Sequence, residues 1–125
     1  MKRSGLKALV VEDEDQVRLL LSRYLERAGI KDKDLAPNEE TALKLIQDKN
    51  FDLIVSDTMY GSIDPYGPRI VKKAKGLGQN PVVIAISGHP KYLEKWNEVK
   101  PNYTLVKPVS LAEFIDIIKK EFPEE

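Results

Sequence analysis

Short apolar runs recur along the chain, at 6–11, 53–55, 82–86 and 103–106. Each run is too short for a typical helix, carries β-branched residues and is bounded by polar ones, which predicts buried strands. A polar segment at 31–36 predicts one more strand, at an edge of the sheet, where charged side chains hinder pairing with other chains. Strands that are apolar almost throughout favour a parallel sheet covered on both faces.

The segments between these runs carry apolar residues at helical spacing. In the first segment six of them form one face: Val17, Leu20, Leu21, Tyr24, Leu25 and Ala28. This pattern predicts an amphipathic helix. Acidic residues at 12–15 are expected to cap its N-terminus, because carboxylates accept hydrogen bonds from the free amides there. Gly29 is expected to end it as the residue after the C-cap.

Similar signals mark four further helices. Asn38 is expected to cap the second helix, and Pro68 to lie in the first turn of the third. A short helix is expected at 90–98. Ser110 and Glu113 form a capping box at the start of the last helix. Strand and helix thus alternate five times, which predicts an α/β domain with a parallel sheet and right-handed crossovers.

The composition excludes several classes of protein. A chain of 125 residues, 42% hydrophobic and 32% charged, suits one folded domain spanning 1–125. The 20 basic and 20 acidic residues cancel, so the overall charge does not suggest direct binding to nucleic acid or to a membrane surface. Cysteine is absent, which excludes disulfides and thiolate metal sites. No signal peptide or membrane span is visible, so a cytoplasmic location is expected.

Polar side chains stand where four of the five predicted strands end: Glu12 and Asp13, Asp57, Ser87, and Lys107. In open α/β sheets, ligands bind beyond the carboxyl ends of the strands. Each of these residues alone has an ordinary structural explanation, as a helix cap, a turn former or a surface lysine. Their coincidence at matching strand ends predicts a functional site.

The residue types at these strand ends fit one chemistry. Clustered carboxylates repel each other, by about 4 kcal/mol per pair at an effective dielectric near 20, and a divalent cation relieves this. Oxygen ligands without thiols favour Mg²⁺. The Asp57 carboxylate can act as a nucleophile and form an aspartyl phosphate. Lys107 and Ser87 can stabilise the charge of a phosphoryl group during transfer.

Four segments, 10–14, 52–57, 83–88 and 105–108, resemble motifs of the receiver domain of two-component response regulators, of the chemotaxis-regulator type. The resemblance covers the whole chain, and the spacings agree: 44 residues from Asp13 to Asp57, 30 more to Ser87 and 20 more to Lys107. It implies a flavodoxin-like, doubly wound sheet of five parallel strands in the order 2-1-3-4-5.

The resemblance also implies roles. Asp57 accepts a phosphoryl group from a sensor histidine kinase or phosphotransfer protein, and Ser87 and Lys107 hold that group. Four residues are implied as Mg²⁺ ligands: Glu12, Asp13, Asp57 and, through its backbone carbonyl, Met59. Gly88 keeps access open, and the Lys107–Pro108 bond is expected to be cis. The protein would then be a switch rather than an enzyme, catalysing only its own phosphorylation and dephosphorylation.

Three positions depart from the family pattern. The loop 58–67 is longer than usual and lacks the proline expected four residues after Asp57. Thr104 stands where the family has its switch aromatic, and Tyr103 is expected to face the opposite way, into the core. Either Ser87 and Thr104 couple without an aromatic, or Tyr92 or Trp96 substitutes for it.

Further expectations concern the surface around the site. A downstream protein is expected to dock on a face formed by four residues: Tyr92, Lys95, Trp96 and Thr104. Two roles stay open for His89, the orientation of an attacking water and simple exposure in a loop. No output domain follows in the sequence, which suits a stand-alone receiver or an excised domain.

Two other functions compete with the phosphorylated switch. One is a receiver-like binding module that works without phosphate, which the departures in the loop and at Thr104 favour. The other is a Mg²⁺-dependent phosphohydrolase using Asp57. The pattern of such enzymes has a second aspartate two residues later, where this chain has Met59. Nucleotide binding is weaker, because Gly76 and Gly78 follow a helix and lack a third glycine.

Overall fold

A computed structural model describes residues 2–124, in which five strands form one parallel sheet. The strands are β1 (Lys7–Val11), β2 (Asp32–Ala36), β3 (Leu53–Asp57), β4 (Val82–Ser87) and β5 (Tyr103–Val106). Their order is β2-β1-β3-β4-β5. The predicted flavodoxin-like arrangement is therefore confirmed, with the polar strand β2 at an edge.

Helices connect the strands: α1 (Asp15–Arg27), α2 (Glu39–Asp48), α3 (Tyr66–Gly76), a 3₁₀ helix (Pro90–Trp96) and α4 (Leu111–Glu121). A short 3₁₀ turn at Arg3–Gly5 precedes β1. The helix expected at 90–98 is thus a 3₁₀ helix. No helix within residues 2–124 is long and apolar enough to cross a membrane.

The sheet has a separate apolar core on each face. Along β1, Ala8 and Val10 point into the core that α1 and α4 cover, whereas Leu9 and Val11 point into the core that α2 and α3 cover. This alternation follows from the two-residue period of a strand. Tyr103 packs against the α1–α4 core and Thr104 is exposed, so Tyr103 faces away from Thr104 as expected.

Most of the predicted helix ends are confirmed. The Asn38 side chain accepts a hydrogen bond from the Thr41 amide at 2.8 Å, and Ser110 accepts one from the Glu113 amide at 3.3 Å. Gly29 has a φ of +90°, in the left-handed region that a residue after the C-cap needs. The Lys107–Pro108 bond is cis, as expected.

One expectation about α1 holds only in part, and another is wrong. The N-cap residue, Glu14, makes no side-chain capping bond, but its amide donates to Glu12 Oε2 at 3.0 Å, so one carboxylate of 12–15 does accept an amide at this helix end. Leu20 is 37% exposed, although its neighbour Leu21 is buried. Leu20 lies roughly 100° around the helix from Leu21, at the margin of the apolar stripe, where the sheet no longer covers it.

The loop between β3 and α3 is fixed by a close approach at Gly67. Tyr60 and Asp64 form an antiparallel bridge in this loop, and the Gly67 amide donates to the Thr58 carbonyl at 3.1 Å. A Cβ on Gly67 would collide with the Asp57 carbonyl oxygen and lie 3.0 Å from Cζ2 of Trp96. Glycine is therefore required where α3 begins.

We expect Gly67→Ala to lower the free energy of unfolding by roughly 1–3 kcal/mol, because the added methyl group forces a shift of packed backbone. Gly76→Ala is the matched control, since nothing lies within 4 Å of a Cβ there. Urea unfolding of both variants tests this. A Gly67→Ala protein as stable as Gly76→Ala would contradict this, because it would show that the start of α3 can shift to accommodate a Cβ at little cost in free energy.

Candidate functional site

Three carboxylates meet at the carboxyl end of the sheet. Glu12 and Asp13 follow β1, and Asp57 is the last residue of β3, the strand paired beside it. One oxygen from each lies within 4.8 Å of the other two. Glu12 and Asp57 are buried, and Asp13 is half-buried. The parallel pairing of β1 with β3 therefore creates the acidic cluster expected from the strand ends.

Lys107 reaches this cluster from the end of β5. Its Nζ lies 2.8 Å from Glu12 Oε1, 3.0 Å from Glu14 Oε1 and 3.6 Å from Asp57 Oδ1. The closeness of Lys107 to Asp57 agrees with the predicted convergence of the strand ends, whereas the contact with Glu14 has no signal in the sequence. Among the described residues, Glu12 Oε1 is the one buried side-chain polar atom without a hydrogen-bond partner, and its contact with the Lys107 ammonium at 2.8 Å is an ion pair.

The burial of this charge changes proton affinities. Burial, and then the charge of Glu12, raises the pKa of Asp57 to about 7, although Lys107 opposes the change. Burial also raises the pKa of Glu12, again against the influence of Lys107. Burial alone would lower the pKa of Lys107, but the adjacent carboxylates of Glu12 and Asp57 raise it instead. The cluster thus holds more negative charge than one lysine neutralises.

The other predicted site residues surround a cavity of about 260 Å³ that opens onto Asp57: Asp13, Met59, Ser87, Gly88 and Lys107. Ser87 is buried, and its hydroxyl donates to the His89 carbonyl at 2.6 Å while accepting from the His89 amide at 3.1 Å. Ser87 therefore forms a turn and makes no hydrogen bond to Asp57 within residues 2–124.

The His89 ring caps the 3₁₀ helix. Its Nδ1 accepts from the Lys91 amide at 3.2 Å, and the ring meets that of Tyr92 edge-on at 6.0 Å between centroids. The residue is exposed, which agrees with the simpler of its two readings. The orientation of an attacking water by His89 stays a prediction.

Trp96 is 2% exposed, so its predicted place on an accessible docking face is wrong. Its indole nitrogen donates to Thr58 Oγ1 at 2.9 Å, and that hydroxyl donates to the Ile86 carbonyl at 2.8 Å. The Thr58 amide in turn donates to Asp57 Oδ1 at 2.9 Å. The indole is buried because this polar partner is available beneath the 3₁₀ helix, a contact that sequence reasoning missed.

Tyr66 is a second residue that sequence reasoning missed. It is the first residue of α3 and 1% exposed, and its hydroxyl lies 3.4 Å from Asp57 Oδ2. The edge of one ring meets the face of the other between Tyr60 and Tyr66, with centroids 6.3 Å apart. The sequence showed only an aperiodic loop here, so no signal could have assigned this contact.

A family model, described as the response regulator receiver domain, matches residues 8–119. The chain belongs to this family. The resemblance found in the sequence motifs is thereby confirmed. Such receivers are signalling domains rather than conventional enzymes, and they interact with histidine kinases or phosphotransfer proteins and with downstream effectors.

Relatives from different regulators share this domain. The transcriptional regulatory protein SrrA of Staphylococcus aureus is 30% identical over 113 residues, which are 89% of this chain but only 45% of SrrA. The receiver domain of the Francisella response regulator 1452 is 27% identical with a TM-score of 0.73, covering 94% of this chain and 98% of that one. The receiver of the hybrid histidine kinase CckA is 32% identical with a TM-score of 0.71, covering 92% and 97%.

Without divalent cations, we expect Asp57→Asn to stabilise the fold at pH 8 by roughly 2–4 kcal/mol. The folded-state pKa of Asp57 is raised from 3.8 to about 7, so the contribution of Asp57 to stability is fully present below pH 3.8 and is lost as pH rises through 7. The neutral amide escapes this loss, and its advantage should disappear towards pH 4. Urea unfolding in a chelator across this range measures the difference.

Asp64→Asn is the control, because it removes a carboxylate of the same region whose partner is the exposed Arg69. Its stability should follow that of the wild type at every pH. If the Asp57→Asn advantage were the same at pH 5 and pH 8, the carboxylate would not be destabilised by burial.

Proposed function

We propose that Asp57 is the phosphoacceptor of this receiver domain, taking a phosphoryl group from a histidine kinase or phosphotransfer protein. The observation that carries the proposal is the buried Asp57 carboxylate at the floor of the cavity, with Lys107 Nζ 3.6 Å from Oδ1. A phosphoryl group on that oxygen would meet the ammonium directly. Phosphoryl transfer depends chiefly on such positioning and charge stabilisation.

The proposed cofactor is Mg²⁺, held by the carboxylates of Glu12, Asp13 and Asp57 and the backbone carbonyl of Met59. The residues fit this ion: all donors are oxygens, and Glu12 Oε1 is buried without a hydrogen-bond partner among residues 2–124. When bound, the ion would neutralise the cluster and the charge of the phosphoryl oxygens. Lys107 would move from Glu12 and Glu14 towards the phosphoryl group.

Ser87 is proposed to hold the phosphoryl group from the opposite side. To do so its hydroxyl would leave the His89 carbonyl, to which it donates at 2.6 Å, and turn into the cavity. The turn at 87–89 leads directly into the 3₁₀ helix, so this change would alter the surface beside Asp57. A phosphoryl group would in this way bias an equilibrium between two surfaces.

The docking face for a downstream protein is proposed to comprise Tyr92, Lys95 and Thr104, without the buried Trp96. Lys95 and Thr104 are exposed, and Tyr92 is half-buried and lines the cavity that holds Asp57. Val106, on the same strand as Thr104 and 40% exposed, extends this face. Tyr92 therefore connects the phosphoryl site to the surface that a partner would read.

We expect incubation with Mg²⁺ and acetyl phosphate, a small phosphoryl donor, to add a single phosphate to the wild type. Asp57→Asn should take none, because the amide is not a nucleophile, and a chelator should prevent the reaction. Intact-mass spectrometry measures the adduct. Asp64→Asn, which keeps the site, should be modified like the wild type.

A wild type that binds Mg²⁺ but takes no phosphate would contradict the proposal. It would instead favour the binding module that works without phosphate. An adduct that persists on Asp57→Asn would place the acceptor elsewhere.

A further inference from the structure

The two oxygens of the Asp57 carboxylate have different surroundings. Oδ1 accepts from the Thr58 amide at 2.9 Å and lies 3.6 Å from Lys107 Nζ. Oδ2 lies 3.4 Å from the hydroxyl of Tyr66. Tyr66 is therefore placed to donate to Oδ2. Different groups can therefore stabilise negative charge on the two oxygens.

We propose that the Tyr66 hydroxyl shortens the lifetime of phosphorylated Asp57 by donating a hydrogen bond to the oxygen that does not carry the phosphoryl group. This inference rests on the proposed function of Asp57. Lys107 lies beside Oδ1, so Oδ1 takes the phosphoryl group and Oδ2 becomes the carbonyl oxygen of the acyl phosphate. Tyr66 then faces Oδ2 in both states, and an Mg²⁺ ion held by Asp57 would share that oxygen with Tyr66; saturating Mg²⁺ in every sample keeps this contribution constant.

The effect of Tyr66 on the phosphate lifetime comes from the charge on Oδ2. In the free carboxylate Oδ2 shares a full negative charge, whereas in the acyl phosphate it is a neutral carbonyl oxygen. A hydrogen bond to an ionised acceptor is roughly twice as strong as one to a neutral acceptor. Tyr66 consequently stabilises unphosphorylated Asp57 more than the phosphorylated form.

The same difference acts during hydrolysis. A water oxygen attacks phosphorus, and the bond between phosphorus and Oδ1 breaks with its electron pair going to Asp57. The water gives up one proton to the departing inorganic phosphate, and the carboxylate is regenerated. Negative charge grows on both carboxylate oxygens as the bond breaks, so the hydrogen bond from Tyr66 strengthens along the reaction. Tyr66 itself keeps its proton throughout.

The surroundings hold Tyr66 in this donor role. The ring is buried at the start of α3, where Gly67 allows the helix to approach the Asp57 carbonyl closely. The hydroxyl lies 3.4 Å from Oδ2, on the side of the carboxylate away from the Thr58 amide and Lys107 that contact Oδ1. The edge-on contact with Tyr60 restricts the ring further.

The test compares Tyr66→Phe with Tyr60→Phe, which removes a hydroxyl from the 57% exposed neighbour in the same loop. Each protein is loaded with acetyl phosphate, freed of the donor and followed by intact mass at saturating Mg²⁺. We expect the phosphate on Tyr66→Phe to last about threefold to tenfold longer than on the wild type, because the charge-assisted hydrogen bond is lost. Tyr60→Phe should decay like the wild type.

A second measurement separates donor strength from packing. Site-specific 3-fluorotyrosine at position 66 keeps the ring and makes the phenol a stronger donor, so the phosphate should decay faster than on the wild type. It also replaces Tyr66→Phe if that variant does not fold. The inference alone would be overturned if all the proteins took up phosphate and lost it at the same rate. It would also be overturned if the 3-fluorotyrosine protein lost phosphate more slowly than the wild type. A wild type that takes no phosphate would overturn the proposed function and the inference with it.

Discussion

Three carboxylates face one ammonium at the carboxyl end of the sheet, and the rest of the site depends on this imbalance. Glu12 and Asp57 are buried beside each other because β1 and β3 are adjacent, and Lys107 reaches them from β5 across β4. Buried charge is costly unless it is fully paired. Here the pairing is incomplete, and the surplus negative charge raises the pKa of Asp57.

Such a site needs a rigid support, because carboxylates that repel each other would otherwise move apart. The support comes from two directions. Below, the apolar strands place Asp57 at a fixed register opposite Ile86. Above, α3 begins directly against the Asp57 carbonyl, which only glycine at position 67 permits. The chain after β3 therefore needs glycine at position 67, where α3 packs against the Asp57 backbone.

The sheet and the positions of the site residues could be predicted from the sequence because both follow from local patterns. Apolar runs define the strands, Asn38 and Gly29 mark helix ends, and the acidic cluster follows from which strands end in carboxylates. Ser87 was placed at the cavity correctly, but its present bond to His89 depends on a turn whose geometry leaves no pattern in the sequence.

The errors at Trp96 and Tyr66 have a common physical cause, which is that burial of an isolated aromatic depends on distant partners. Trp96 is buried because Thr58, 38 positions earlier, offers it a hydrogen-bond acceptor. Tyr66 is buried because α3 approaches β3 closely, and nothing around it in the sequence is periodic. The prediction that Leu20 is buried was wrong for a simpler reason. The edges of an apolar stripe on a helix are set by the final packing, which the sequence pattern does not show.

The hydrogen bond between Trp96 and Thr58 has a consequence for observing the protein. Trp96 is the only tryptophan in the sequence, so the fluorescence of the chain on excitation near the red edge of protein absorption comes from one indole. That indole is joined through Thr58 to the Asp57 carboxylate. The fluorescence of Trp96 can therefore report on Asp57, because two hydrogen bonds connect the indole to that carboxylate through Thr58.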